Sequence, residues 1–251
     1  MMKVCEVKGL RFGEGQPKVC LPIVGRDNQE IMEIIHSFEN LVYDLVELRI
    51  DFYENILDDE KVIDLLRQVK AQLSCPLLVT YRSLREGGQV QLSDEQYLHL
   101  IELISINQLA DLVDIELMSG NTLVYQMVEI AHQQDVKVIL SYHDFHQTPS
   151  YQYIVEKLEH MEILGGDLLK VALMPQTKRD VITLLNVTMD MSERLAHPLI
   201  TMSMGKMGVI SRITGELTGS CMTFASVKKA SAPGQIALQD MNLLLEAVHH
   251  D

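Results

Sequence analysis

The sequence predicts an α/β fold, a (βα)8 TIM barrel with a short N-terminal β-hairpin, on three observations. Eight apolar β-forming runs alternate with segments of helical periodicity, the alternation continues to the end, and 251 residues is an ordinary length for one such barrel. Strict alternation calls for parallel strands joined by crossover helices, and eight repeats let the sheet close on itself. An open doubly wound sheet is the alternative the same pattern permits.

Residues 4–12 have the length of a hairpin ahead of the first repeat. The strands are then expected at 19–24, 43–52, 77–82, 112–117, 137–143, 168–173, 199–204 and 221–225. Between them, "DEKVIDLLRQVKAQL", "SDEQYLHLIELISINQL" and "NTLVYQMVEIAHQQ" carry apolar residues at helical intervals, with Ser93 and Asn121 as expected N-caps. No Gly/Ser-rich linker, low-complexity stretch or repeat interrupts the series, so residues 1–251 are expected to form a single domain.

Composition removes several function classes. A net charge of -14 argues against a nucleic-acid surface, which needs clustered Lys and Arg. No apolar run approaches the roughly 18 residues of a membrane span, and the N-terminus does not read as a signal peptide. Cys5, Cys20, Cys75 and Cys221 are scattered without C-x-x-C spacing, as expected of reduced thiols in a cytoplasmic protein.

Polarity concentrates where a barrel places its chemistry, at the C-terminal strand ends. Glu47, Arg49 and Asp51 share one face; so do Thr80 and Arg82, Asp114 and Glu116, and Ser141 and His143. In "GDLLKVALMP", Lys170 lies with Leu168 and Ala172 on one face, opposite Leu169, Val171 and Leu173. Charges on inner strands must be paired, hydrated or arranged around a ligand cavity. Ion pairs such as Arg49–Asp51 or Glu47–Arg82 would satisfy some of them structurally. Asp114, Glu116 and His143 could in principle ligate a metal, but a single His without H-E-x-x-H spacing gives that reading little support. Lys170 has no structural reason to be there, and a desolvated amine can attack a ketone or aldehyde. His143, one strand away, is placed to move protons.

With these residues goes a wider set of motifs: "ELRID" (47–51), "TYRSLREGG" (80–88), "DIEL" (114–117), "VILSYHD" (138–144), "LLKVALMP" (168–175), "MSMGKMGVISR" (202–212), "GSCMTFAS" (219–226) and "ASAPGQ" (230–235). In this order and over nearly the whole chain, they resemble the type I 3-dehydroquinate dehydratases of the shikimate pathway. The resemblance implies cofactor-free and metal-free dehydration of 3-dehydroquinate through an imine on Lys170, with His143 as general acid and base. Glu86 would orient His143 and, as an anion, favour its imidazolium. Arg212 would bind the substrate carboxylate. Glu47, Arg49, Arg82, Ser231 and Gln235 would contact the substrate's polar groups, and Met202, Met204 and Phe224 would wall the pocket. The segment "SAPGQ", with Pro233 suited to a helix first turn, could close over substrate. A homodimer is also implied.

Two other readings share part of the pattern. A Schiff-base aldolase acting on a phosphorylated sugar would keep Lys170 and use Gly205 and Gly208 as part of a phosphate cradle. A catalytically dead barrel acting as a scaffold would have lost Lys170, His143 or Arg212, and all three are present.

Overall fold

The computed structural model describes residues 4–227 and 233–249. The chain opens with the antiparallel pair β1 (Cys5–Val7) and β2 (Leu10–Phe12). Lys8 and Gly9 both hold positive φ at its turn, as a two-residue hairpin connection requires.

The repeats follow: β3 (Lys18–Ile23), α1 (Asn28–His36), β4 (Leu45–Arg49), α2 (Asp59–Gln72), β5 (Leu77–Thr80), α3 (Asp94–Ile106), β6 (Leu112–Glu116) and α4 (Asn121–Gln133). They continue with β7 (Lys137–Asp144), α5 (Tyr151–Ile163), β8 (Leu168–Leu173), α6 (Lys178–Arg194), β9 (Leu199–Ser203), α7 (Gly215–Thr218), β10 (Met222–Ser226), β11 (Ile236–Ala237) and α8 (Leu238–Val248). One parallel sheet of nine strands runs in the order β11-β10-β3-β4-β5-β6-β7-β8-β9. It curls until β9 meets the start of β10, where Leu199 bridges Ser220 and the Cys221 amide donates to the Leu199 carbonyl at 2.7 Å. Higher on that seam, β11 pairs with Ala225 and Ser226.

Alternation along each strand builds two apolar layers. Val46 and Leu48, Val113 and Ile115, and Leu169, Val171 and Leu173 face outward into the helix-covered core. Leu45, Leu78, Leu112, Ile139 and Leu168 face inward and form a floor, sealed by Cys5, Val7 and Phe12 of the hairpin. Each such side chain contributes about 1.5–3 kcal/mol on burial. That offsets the several kcal/mol per ion of desolvating the charges one layer above.

Several ends differ from the expectation. The strand expected at 43–52 spans only Leu45–Arg49 and tightens into a 3-10 turn at Ile50–Phe52. The one expected at 77–82 stops at Thr80, releasing Arg82 into the loop above the sheet. Ser93 caps α3 in a capping box with Gln96 as expected, whereas Asn121 is the first residue of α4 and Gly120 its cap. Pro233 lies before β11, not in the first turn of α8.

Candidate active site

The top layer surrounds a cavity of about 610 Å³, the open solvent at its mouth included. Lys170 and His143 both line it. They come from adjacent strands, β8 and β7, where Ser141 pairs with Lys170 and His143 with Ala172. Lys170 is buried, as its inward parity demands. Its Nζ donates to Asp114 Oδ2 at 3.0 Å, sits 3.9 Å from Glu47 Oε1 and lies 4.8 Å from the Phe224 ring centroid.

Asp114 accepts from three side chains, Lys170 among them. Its Oδ1 accepts from Arg82 Nη2 at 2.7 Å and from the Ser141 hydroxyl at 2.6 Å. Burial pushes this carboxyl up, but Arg82 and Lys170, with the Ser141 hydrogen bond, outweigh it and hold Asp114 below its ordinary value. Arg82 also donates from Nη1 to Ser141 at 3.0 Å and to Glu116 Oε1 at 3.2 Å, and reaches Glu86 Oε2 at 3.5 Å. Burial works to lower the guanidinium, but Asp114, Glu116 and Glu86 raise it above its ordinary value. Asp114 and Glu116, weighed above as metal ligands, are thus turned onto Arg82. Among the described residues no group of three or more His, Cys, Asp or Glu side chains is disposed to hold a metal.

Glu86 sits on a 3-10 turn (Leu84–Glu86) that ends at Gly87, whose φ of +86° favours glycine. A Cβ on Gly87 would lie 2.7 Å from the Phe145 ring, and one on Gly88 would overlap the Arg82 carbonyl. The two glycines therefore let this loop press down until Glu86 Oε2 meets His143 Nδ1 at 2.9 Å. Phe145 stacks along the imidazole, with centroids 6.4 Å apart and planes 20° from parallel.

Burial and the nearby Glu116 carboxylate push Glu86 up to about 8, against the pull of Arg82. Burial, then the cations Arg82, Lys170 and Arg49, depress His143 well below its ordinary value. The expectation that Glu86 favours imidazolium therefore does not describe this site. Two carboxylates brought in by β6 crowd Glu86, while three cations face the imidazole.

The remaining side chains divide by partner. Arg49 lines the cavity but is held bidentately by Asp51, both bonds at 2.8 Å, and lies 5.1 Å from the Phe52 centroid. Glu47 accepts from Thr80 Oγ1 at 2.9 Å, and no Glu47–Arg82 pair forms. Arg212 ends a 3-10 segment (Lys206–Arg212) and is almost fully buried. Its Nη2 donates to the Pro233 carbonyl at 3.0 Å, Nη1 lies 3.8 Å from Met202 Sδ, and Nε has no hydrogen-bond partner. Among the described residues no acidic side chain pairs with it, and burial lowers it to about 10. Met202, Met204, Phe224 and Gln235 complete the wall; Ser231 lies outside the described residues.

Gly205 and Gly208 do not form a phosphate cradle. The Gly205 amide donates to the Pro233 carbonyl and the Gly208 amide to the Gly205 carbonyl, both at 3.2 Å. The residues that sequence reasoning left unassigned are Asp114 as the partner of Lys170, and Phe145 beside His143. Asp114 shares the inward parity of its strand, but nothing in the sequence says that Lys170 is the group it meets.

The profile of the family described as Type I 3-dehydroquinase matches residues 19–251. A 3-dehydroquinate dehydratase of Clostridium botulinum is 45% identical over 253 residues, covering 100% of both chains. The structure of a type I 3-dehydroquinate dehydratase from Clostridium difficile, carrying covalently modified comenic acid, superposes with a TM-score of 0.96 at 41% identity, over 99% of each chain. The Enterococcus faecalis 3-dehydroquinate dehydratase gives 0.91 at 37% identity, over 98% of this chain and 100% of that one.

Proposed function

The chain belongs to the type I 3-dehydroquinase family, and from that premise we propose that it dehydrates 3-dehydroquinate to 3-dehydroshikimate in the shikimate pathway through an imine on Lys170. The observation that carries this reading is Arg212: a buried cation without an acidic partner among the described residues, on the cavity that also holds Lys170. An amine nucleophile and a carboxylate receptor in one cavity suit a keto acid.

The chemistry follows from the groups present. Lys170 Nζ forms a bond to the C3 ketone carbon, the ketone oxygen leaves as water, and a protonated imine remains. That cation draws electrons from C2, so His143, neutral because its surroundings depress its proton affinity, can take a C2 proton. The enamine electrons then expel the C1 hydroxyl, which leaves as water with the proton His143 has just gained. Addition of water to the imine carbon frees product and lysine. Splitting one elimination into these steps is the gain of covalent catalysis. The covalently modified ligand in the C. difficile relative is in keeping with such chemistry.

In this reading Glu86 fixes the imidazole by taking Nδ1, which leaves Nε2 for the substrate. Arg212 receives the carboxylate, Glu47, Arg49, Arg82, Ser231 and Gln235 contact the other polar groups, and Met202, Met204 and Phe224 bound the ring. Neither metal nor organic cofactor takes part. The chain is one catalytic domain and works as a cytoplasmic homodimer, inferences that rest on the family alone; no described helix is long and apolar enough to cross a membrane.

The test is the enone absorbance of dehydroshikimate on addition of 3-dehydroquinate, with sugar phosphates as the competing substrates. Turnover of dehydroquinate that Lys170→Ala abolishes supports the reading. Turnover of sugar phosphates alone would replace it with an aldolase.

A further inference from the structure

We propose that Asp114 is a positioning residue for the Lys170 nitrogen, acting as its fixed counter-charge and as the acceptor that orients the imine. The proposal rests on the imine reading given above. Three observations point to it.

First, Asp114 Oδ2 is the nearest acidic oxygen to Lys170 Nζ, at 3.0 Å, against 3.9 Å for Glu47 Oε1. Second, Asp114 cannot easily turn away. It is fully buried, and its other oxygen is held by Arg82 at 2.7 Å and Ser141 at 2.6 Å. Third, the nitrogen lies over the Phe224 ring, 4.8 Å from its centroid, and the π cloud also favours positive charge.

These surroundings match the charge that the reaction places on nitrogen. An ammonium and a ketone give an iminium and water: a C–N bond forms, the C–O bond breaks, and the nitrogen keeps its positive charge and one hydrogen. An ammonium has three N–H groups to distribute, whereas an iminium has one. With Glu47 beyond hydrogen-bond reach, that single N–H goes to Asp114 and fixes the plane of the C=N bond. The substrate ring is then held in one orientation relative to His143 and Arg212.

Arg82 acquires a second role from the same network. It joins Asp114, which holds the nucleophile, to Glu86, which holds the base. A shift of either catalytic side chain would therefore disturb the other.

The experiment compares wild type with Asp114→Asn, which keeps shape and loses charge. Measured are the fraction of enzyme trapped by borohydride at saturating 3-dehydroquinate, kcat, KM and the melting temperature. The proposal predicts a trapped fraction and kcat each lower by about tenfold to a hundredfold, the range spanned by a hydrogen bond to a charged group. It also predicts a KM changed less than about threefold, because Arg212 still holds the carboxylate. Asp114→Glu, which restores the charge, should recover part of the trapped fraction. A trapped fraction equal to wild type in a folded Asp114→Asn protein overturns the proposal and leaves the imine reading standing. No adduct in wild type itself overturns both. If Asp114→Asn does not fold, Ser141→Ala carries the test: it removes one of the bonds that lock Asp114, so the trapped fraction falls if the proposal holds and stays unchanged if it does not.

Discussion

Glu86 Oε2 meets one residue twice, accepting from the backbone N–H of His143 at 3.2 Å and hydrogen-bonding with its ring Nδ1 at 2.9 Å. One oxygen thus fixes both the position of the imidazole and the nitrogen it offers. Arg82, Lys170 and Arg49 add their positive field to the cost of burial, so the neutral ring is favoured. A base must be neutral to act. The acidic limb of kcat/KM, which reports the free enzyme, should therefore lie below pH 6.5, the ordinary histidine value. A stopped-rate profile from pH 4.5 to 9 checks this; a limb at or above 6.5 contradicts the neutral resting state.

The same crowding gives a stability prediction at Glu86. Its folded value is raised to about 8 from an ordinary 4.5, so the fold favours the protonated form. This contribution is full below pH 4.5 and is lost as the pH rises through about 8. Glu86→Gln, neutral throughout, escapes that loss. Its stability relative to wild type should grow by about 1–3 kcal/mol between pH 5 and pH 9. Denaturant titrations at the two pH values measure the difference, and a constant offset would refute it.

Arg212 should show opposite effects on activity and stability. Arg212→Met removes the proposed carboxylate receptor, so kcat/KM for 3-dehydroquinate falls about 10- to 150-fold, mostly through KM. The same change removes a buried cation that has no acidic partner among the described residues, so the ligand-free melting temperature stays the same or rises. A fall in melting temperature with KM unchanged would mark Arg212 as structural.

Gly87 separates backbone strain from contact. Gly87→Ala places a methyl in a positive-φ position against Phe145, whereas Gly120→Ala meets a positive-φ penalty of its own, at φ +96° and ψ 139°, in open space. Both should lose about 1–3 kcal/mol of stability. Only Gly87→Ala should also lower kcat, because Phe145 stacks along His143. Equal kcat in the two variants would mean that this stack does not matter.

The repeating part of the fold was legible because its signal is local. In β8, the alternation that sets Leu168, Lys170 and Ala172 against Leu169, Val171 and Leu173 can be read from six letters, and the two apolar layers keep it. Strand ends were less legible: in 43–52 β-forming residues run on past Arg49, where the chain tightens into a 3-10 turn, so composition overshoots the pairing. The two-residue β11 has no periodicity to detect; it exists because the seam above Ser220 leaves Ala225 and Ser226 without a neighbour on that side.

At the site, Lys170, His143 and Arg212 stood out, two as unusual charges at strand ends and one by family resemblance. The long-range sums did not. Glu116 raises Glu86 across thirty positions of sequence, and Asp114 finds Lys170 across 56. Such pairings depend on barrel register, which no single segment encodes.

The most direct test of the central claim is intact-mass analysis after borohydride is added to the protein with 3-dehydroquinate, followed by peptide mapping, with Lys170→Ala as control. The account predicts one stable adduct per chain, mapped to Lys170 and absent from the control. An unmodified wild-type chain while dehydroshikimate accumulates would contradict it, since turnover would then proceed without a trappable imine.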